Sequence, residues 1–283
     1  MHLITDPWHF EFMQRAFIVA TLAAIVCAVV GVYVVLKGLA FMGDAIAHSS
    51  LAGMAAAFAL GGSVLWGAIA WVAPASLAIT YLSRRTRLLL DTTIGIIYAA
   101  GFALGLVIIS RQDSYATDLL SFLFGNVLGV SWTDVVIVAA VAAAILAVIA
   151  ALYKELLFTA YDSAMAAASG IPIRFMEYLL PLLIGFTAVA SLKTVGIVLV
   201  LALLVTPAAT ARLLARRLPA MMLVSVIVAW AAVIAGLYLS YHLDLPSGPA
   251  IVLVSTAIFL LALLLSPSRG LLRRRPRISI PVP

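Results

Sequence analysis

Long apolar runs, broken at short intervals by small clusters of charge, dominate the chain. Nine stand out, at about 16–36, 43–60, 64–82, 91–109, 134–153, 176–191, 195–211, 219–240 and 249–266, each 16 to 22 residues long. An α-helix needs roughly 17–25 apolar residues to cross a bilayer. The runs show none of the polar/apolar alternation of barrel strands. The pattern predicts an all-α integral membrane protein, a polytopic bundle of about 8–9 transmembrane helices. The first run is longer than a signal-peptide core and follows Asp6 and Glu11, which predicts a retained span and not a cleaved leader. A further stretch, 115–130 (YATDLLSFLFGNVLGV), is apolar but short and carries Asp118 and Asn126. It predicts a re-entrant or extra short helix on the outer side. Such backbone is tolerated at membrane depth only against protein or a water-filled path.

Composition narrows the class. Apolar residues make up 65% of the 283 and charged ones 10%, against roughly 25% charged in an average soluble domain. That excludes a soluble globular enzyme and a disordered chain. The single Cys27 excludes a disulfide scaffold and a multi-cysteine metal cluster. The net charge of +6 does not suggest nucleic acid, because the bases sit between apolar runs. They orient the chain instead. With nine spans and a cytoplasmic C-terminus, all Lys and Arg fall inside except Arg15, Arg111 and Lys193. The N-terminus is then outside, the protein is a multi-pass cell-membrane protein, and the basic tail 267–283 lies against anionic lipid. No interval between spans is long enough for a separate soluble domain, so residues 1–283 form one transmembrane domain.

Candidate chemistry concentrates in LAFMGDAIAHSSLAG, residues 39–53. Asp44 and His48 are four apart and share a helix face. Ionisable groups inside a span are expensive and usually face an interior or a pathway. A carboxylate plus an imidazole makes a partial site for a divalent cation such as zinc or manganese, or a hydrogen-bonded pair that only fixes packing. A symmetric dimer would double the ligands. Ser49, Ser50, Met54 and Asn126 are further pathway candidates, with Met42 a nearby sulfur. The surrounding small residues place this helix near the bundle centre. Asp91, with Thr92 and Thr93, reads as a helix cap. Gly101-x-x-x-Gly105 reads as a packing motif of low specificity. Segment 154–175 predicts a short helix at about 162–169, ended by Gly170 and Pro172. There is no GxxxxGK[ST], HExxH or GxSxG motif, so if transport is ATP-driven the ATPase is a separate subunit, and the expected role of the chain is transport and not enzymatic.

Three stretches carry a resemblance. LKGLAFMGDAIAHSSLAG is similar to the early segment of the metal-ion ABC importer permeases, which take up zinc, manganese or iron. DSAMAAASGIPIRFMEYLL followed by SLKTVGIVLVLALLVTPAATARLLARR is similar to their coupling segment and the helices after it, and DLLSFLFGNVLGVS is a looser match. The resemblance implies a homodimeric transmembrane subunit, a cytoplasmic ATPase dimer and an extracytoplasmic metal-binding protein. It implies no permanently bound cofactor, a divalent ion as cargo, and ATP used only through the partner. On it, Asp44 and His48 contact the metal, and 160–172, with Asp162, Ala166, Gly170 and Pro172, is the coupling helix. Three alternatives stay open: an ABC permease for a metal chelate, an intramembrane enzyme using the Asp–His pair, and a secondary transporter.

Overall fold

The computed structural model describes residues 11–86, 88–111 and 130–266. They form α1 (Glu11–Lys37), α2 (Ala40–Ser49), α3 (Leu51–Ala59), α4 (Val64–Thr86), α5 (Leu90–Ile109), α6 (Trp132–Ala151), α7 (Tyr153–Tyr161), α8 (Ser163–Ala168), α9 (Ile173–Val195), α10 (Ile197–Leu214), α11 (Leu218–Leu243) and α12 (Ser247–Leu265). Among the described residues, eight of these helices are long and apolar enough to cross a membrane. The ninth apolar run, 43–60, is the broken pair α2–α3. It divides at Ser50, two residues beyond His48, and the helical ladder resumes with the Met54 N–H donating to the Ser50 carbonyl. Interrupted helices are tolerated at membrane depth where protein or a cavity satisfies the freed backbone.

α1 and α9 are the most enclosed spans. α1 is buried nearly all round, from Ala16 through Ala20, Ala23, Ala24 and Ala28 to Val34, as an apolar helix without a polar face must be. Lipid tails are as apolar as these side chains, so close packing of small residues and interhelical hydrogen bonds hold the bundle. The Ser225 hydroxyl donates to the Ala28 carbonyl at 3.0 Å, tying α11 to α1, and the Ser76 hydroxyl donates to the Pro181 carbonyl at 3.3 Å, tying α4 to α9.

One end of the bundle is basic. There Arg84 on α4 pairs with Glu177 on α9, the Arg212 guanidinium donates to the Val35 carbonyl, and the Ser266 hydroxyl donates to the Leu213 carbonyl. Lys37, Arg84, Glu177 and Thr159 of α7 line one cavity at this end. α5 starts and α6 finishes at the basic end, so Ile109 and Trp132 both lie at the opposite end. The expected element at 115–130 falls almost wholly outside the described residues.

The structure corrects three expectations. Residues 154–161 are helical, forming α7, where only the helix near 162–169 was expected. α9 runs past 176–191 at both ends. Asp91 does not cap α5: the helix begins after Leu89 with no side-chain cap bond. The Thr93 hydroxyl instead donates back to the Leu89 carbonyl. In the coupling of α4 to α9, both side chains of the Arg84–Glu177 pair are over a third exposed. Solvent-screened pairs of that kind contribute about 0–1 kcal/mol. Glu177→Gln is therefore expected to lower the unfolding midpoint only slightly in a thermal melt of the purified protein.

Candidate functional site

α2 buries Met42, Gly43, Ala45, Ile46, Ala47 and Ser49 against the bundle. Positions 41, 44 and 48 follow helical spacing along the remaining face. Phe41 is 69% exposed there, and the Asp44 and His48 side chains are partly buried, at 29% and 21% exposure. The sequence expectation that both share one face holds, and they touch. His48 Nδ1 lies 3.0 Å from the main-chain oxygen of Asp44 and 3.2 Å from its Oδ1. A carbonyl oxygen only accepts, so Nδ1 donates, and a neutral ring then keeps its lone pair on Nε2. This is how a carboxylate-bearing residue fixes the tautomer of a metal-binding histidine.

The second helix of the site is α5. The His48 ring stands edge-on to Tyr98, with centroids 5.4 Å apart and planes at 81°, and meets Phe102 at 6.2 Å and 62°. Tyr98 and Phe102, one turn apart, stack on each other at 6.1 Å and form an apolar wall. Two glycines make this approach possible. A Cβ at Gly101 would stand 2.6 Å from the Ser49 Cβ, and one at Gly105 would stand 2.6 Å from the Leu51 Cγ. The low-specificity GxxxG pattern thus seats α5 against the α2–α3 break.

The other pathway candidates are placed differently. Ser49 and Ser50 are fully buried and donate back along their own helix, to the Ile46 carbonyl at 3.0 Å and the Ala47 carbonyl at 2.6 Å. Met54 is buried on α3. Met42 lies on the opposite side of α2 from Asp44, lining the basic-end cavity. Asn126 lies outside the described residues. Asp91, read from sequence as a cap, lines a cavity of about 250 Å³ with Phe41, Asp44, Gly95 and Tyr98. Its only signal in the sequence was a carboxylate at the mouth of a span. Among the described residues no three His, Cys, Asp or Glu cluster tightly enough to hold a metal, so the described residues of one chain offer an incomplete ligand set.

Within 160–172, Asp162 Oδ1 accepts from the backbone N–H groups of Ala164 and Met165 at 3.0 and 2.9 Å, capping α8. The helix closes with Ile171 N–H to the Ala166 carbonyl and Gly170 N–H to the Ala167 carbonyl, with Gly170 at φ +80°. This paired closure requires a left-handed residue, which glycine adopts freely. Ala166 is fully buried and seats α8, the rest of the helix is exposed, and Pro172 stands just before α9. Asp162→Ala is expected to cost the helix about 1 kcal/mol, measurable as faster amide exchange at Ala164 and Met165.

Comparison with known proteins places this geometry. The chain is 43% identical to the manganese transport system membrane protein MntC of Halalkalibacterium halodurans, over 94% of this chain and 91% of that protein. It is 37% identical to the chelated iron transport system membrane protein YfeD of Yersinia pestis, over 93% and 88%. Among solved structures it is similar to PsaBC from Streptococcus pneumoniae in complex with Fab, with a TM-score of 0.84, 38% identity, and coverage of 95% of this chain and 96% of that one. The profile of the ABC 3 transport family matches residues 9–266. A multi-pass bundle matched over nearly its whole length in this way belongs to the ABC 3 transport family, as a membrane permease subunit and not an enzyme.

Proposed function

We propose that the chain is the permease of a manganese importer and that two copies enclose the pathway, with Asp44 and His48 of each contacting the ion. The observation that carries this reading is the placement of the pair. Both ionisable groups sit on the one open face of an otherwise buried membrane helix. Exposing such groups to acyl chains is costly, so this face borders protein or water. The adjoining face of α5 is open as well, with Gly95, Ala99 and Ala103 exposed and nothing within 4 Å of a Cβ built at Gly95. Small residues of this kind let membrane helices meet closely. A twofold axis beside it brings two carboxylates and two imidazoles together. The carboxylates suit manganese and the imidazoles suit zinc or iron, so the donor set admits each of them, and the name of the MntC relative favours manganese.

In this mechanism an extracytoplasmic binding protein delivers the ion to the four-residue site. A separate ATPase pair then switches the bundle between outward-open and inward-open states through α8, with Asp162, Ala166, Gly170 and Pro172 forming and seating the coupling segment. Asp91, two turns toward the basic end, offers the leaving ion its next oxygen. An incomplete, weak site is what conduction requires, since a site that binds too tightly does not release.

The reconstituted permease–ATPase complex, supplied with the binding protein, is expected to hydrolyse ATP faster with manganese than with zinc or with chelated iron. Stimulation by a chelate alone transfers the reading to a chelate permease. For the dimer, Ala99→Cys in a Cys27→Ser background is expected to cross-link to a second copy in oxidised membranes. A chain that remains wholly monomeric there removes the twofold pathway.

A further inference from the structure

The cavity at the basic end, about 320 Å³, is lined by six helices, and its polar lining is unbalanced. Tyr33 on α1 is 1% exposed, yet its hydroxyl has no hydrogen-bond partner among the described residues. A buried polar group left unpaired costs about 1–3 kcal/mol, so it marks a missing partner. Lys37, one turn further along the same helix face, lines the same cavity and makes no ion pair or hydrogen bond among the described residues. Arg84 and Glu177 neutralise each other at the rim. The hydroxyls of Thr80 and Thr159 already donate into their own helices, to the Ser76 and Glu155 carbonyls. One ammonium and one orphaned hydroxyl therefore belong to the lining of a cavity whose one carboxylate, Glu177, is already paired with Arg84.

We propose that this cavity is an anion site, binding a phosphate group between Lys37 and Tyr33. A cation is excluded by the net positive lining, and a neutral apolar ligand leaves both donors unpaired. Phosphate supplies charge for Lys37 and oxygen for Tyr33, while Leu39, Met42 and Leu180 offer apolar wall to whatever carries it. The phosphate comes from a phospholipid headgroup, as in basic pockets between membrane helices, or from free phosphate. The site is independent of the metal reading: it lies across α2 from Asp44 and requires only that the chain sit in a membrane.

The permease–ATPase complex in nanodiscs separates the sources. In one arm the discs contain phosphatidylcholine with phosphatidylglycerol, and native mass spectrometry counts retained phosphatidylglycerol. In the other, inorganic phosphate is added to phosphatidylcholine discs and the thermal midpoint is read. Wild type is expected to retain one phosphatidylglycerol per permease, or to be stabilised by inorganic phosphate. Lys37→Gln is expected to lower that retention or stabilisation about tenfold, with Tyr33→Phe weaker than wild type and Lys37→Arg near it. Tyr33→Phe removes a single oxygen, so it keeps the test open if Lys37→Gln does not assemble. Retention and stabilisation equal in wild type and both Lys37→Gln and Tyr33→Phe overturn the proposal and leave the cavity to water.

Discussion

His48→Ala is expected to abolish manganese uptake in cells while the permease still assembles with its ATPase. The ring leaves no structural gap that α2 depends on: it lies on the open face, partly exposed, against Tyr98 and Phe102. What disappears is the Nε2 lone pair, the imidazole ligand that each copy brings to the four-residue site. Asp44 acts differently, because it is both an oxygen donor and the group that holds Nδ1. Asp44→Ala removes the carboxylate altogether and is expected to match His48→Ala. Asp44→Asn keeps the main-chain acceptor and a side-chain oxygen but loses the charge. It is expected to lose uptake by about 10–100-fold, the range found when a partner that orients a metal ligand is altered. Uptake at the wild-type rate by both alanine variants removes the site assignment. Asp91→Asn, at the far side of the cavity it shares with Asp44, is expected to have a smaller effect, slowing transport several-fold without abolishing it.

Gly101→Ala is expected to lower the thermal midpoint by several degrees and to impair transport with it. Its new Cβ would fall 2.6 Å from the Ser49 Cβ and 3.0 Å from the Ser49 backbone. No flexible tip is available to yield, so α5 must move off the α2–α3 break. Overpacking of this kind costs about 1–3 kcal/mol, and the shift also carries Tyr98 and Phe102 away from His48. Because the nearest obstruction is a single side-chain carbon, Ser49→Gly is expected to restore part of the loss in Gly101→Ala. A double-mutant cycle on the midpoints measures that coupling. A Gly101→Ala variant as stable and as active as wild type contradicts the close approach on which the site geometry rests.

Much of this was legible in the chain itself because membrane insertion writes itself into sequence. The nine apolar runs correspond to eight long helices and one broken pair. The DSAMAAASGIP stretch gave a short helix with its stop signals, since an acidic cap and a left-handed glycine are local devices. The Asp44–His48 contact was also local, one turn of a single helix. The reading failed where meaning depended on a distant neighbour. Ser49 and Ser50, pathway candidates by sequence, are buried and donate to their own backbone. Met42 looked close to Asp44 and faces the other way. Asp91 looked like a cap and lines a cavity with Asp44.

By itself, then, the sequence determined that the chain is a helical membrane bundle, where its spans lie, and which two ionisable residues share a turn. Hydropathy and helical periodicity are properties of contiguous residues, so they are legible before any distant neighbour is known. Tertiary structure decided which helix walls the pair, that two glycines admit it, and that Tyr33 and Lys37 meet in one unbalanced cavity. Those outcomes depend on how closely separate helices approach. In a bundle held by packing between equally apolar surfaces, that distance is set by the shapes of both partners and by neither alone.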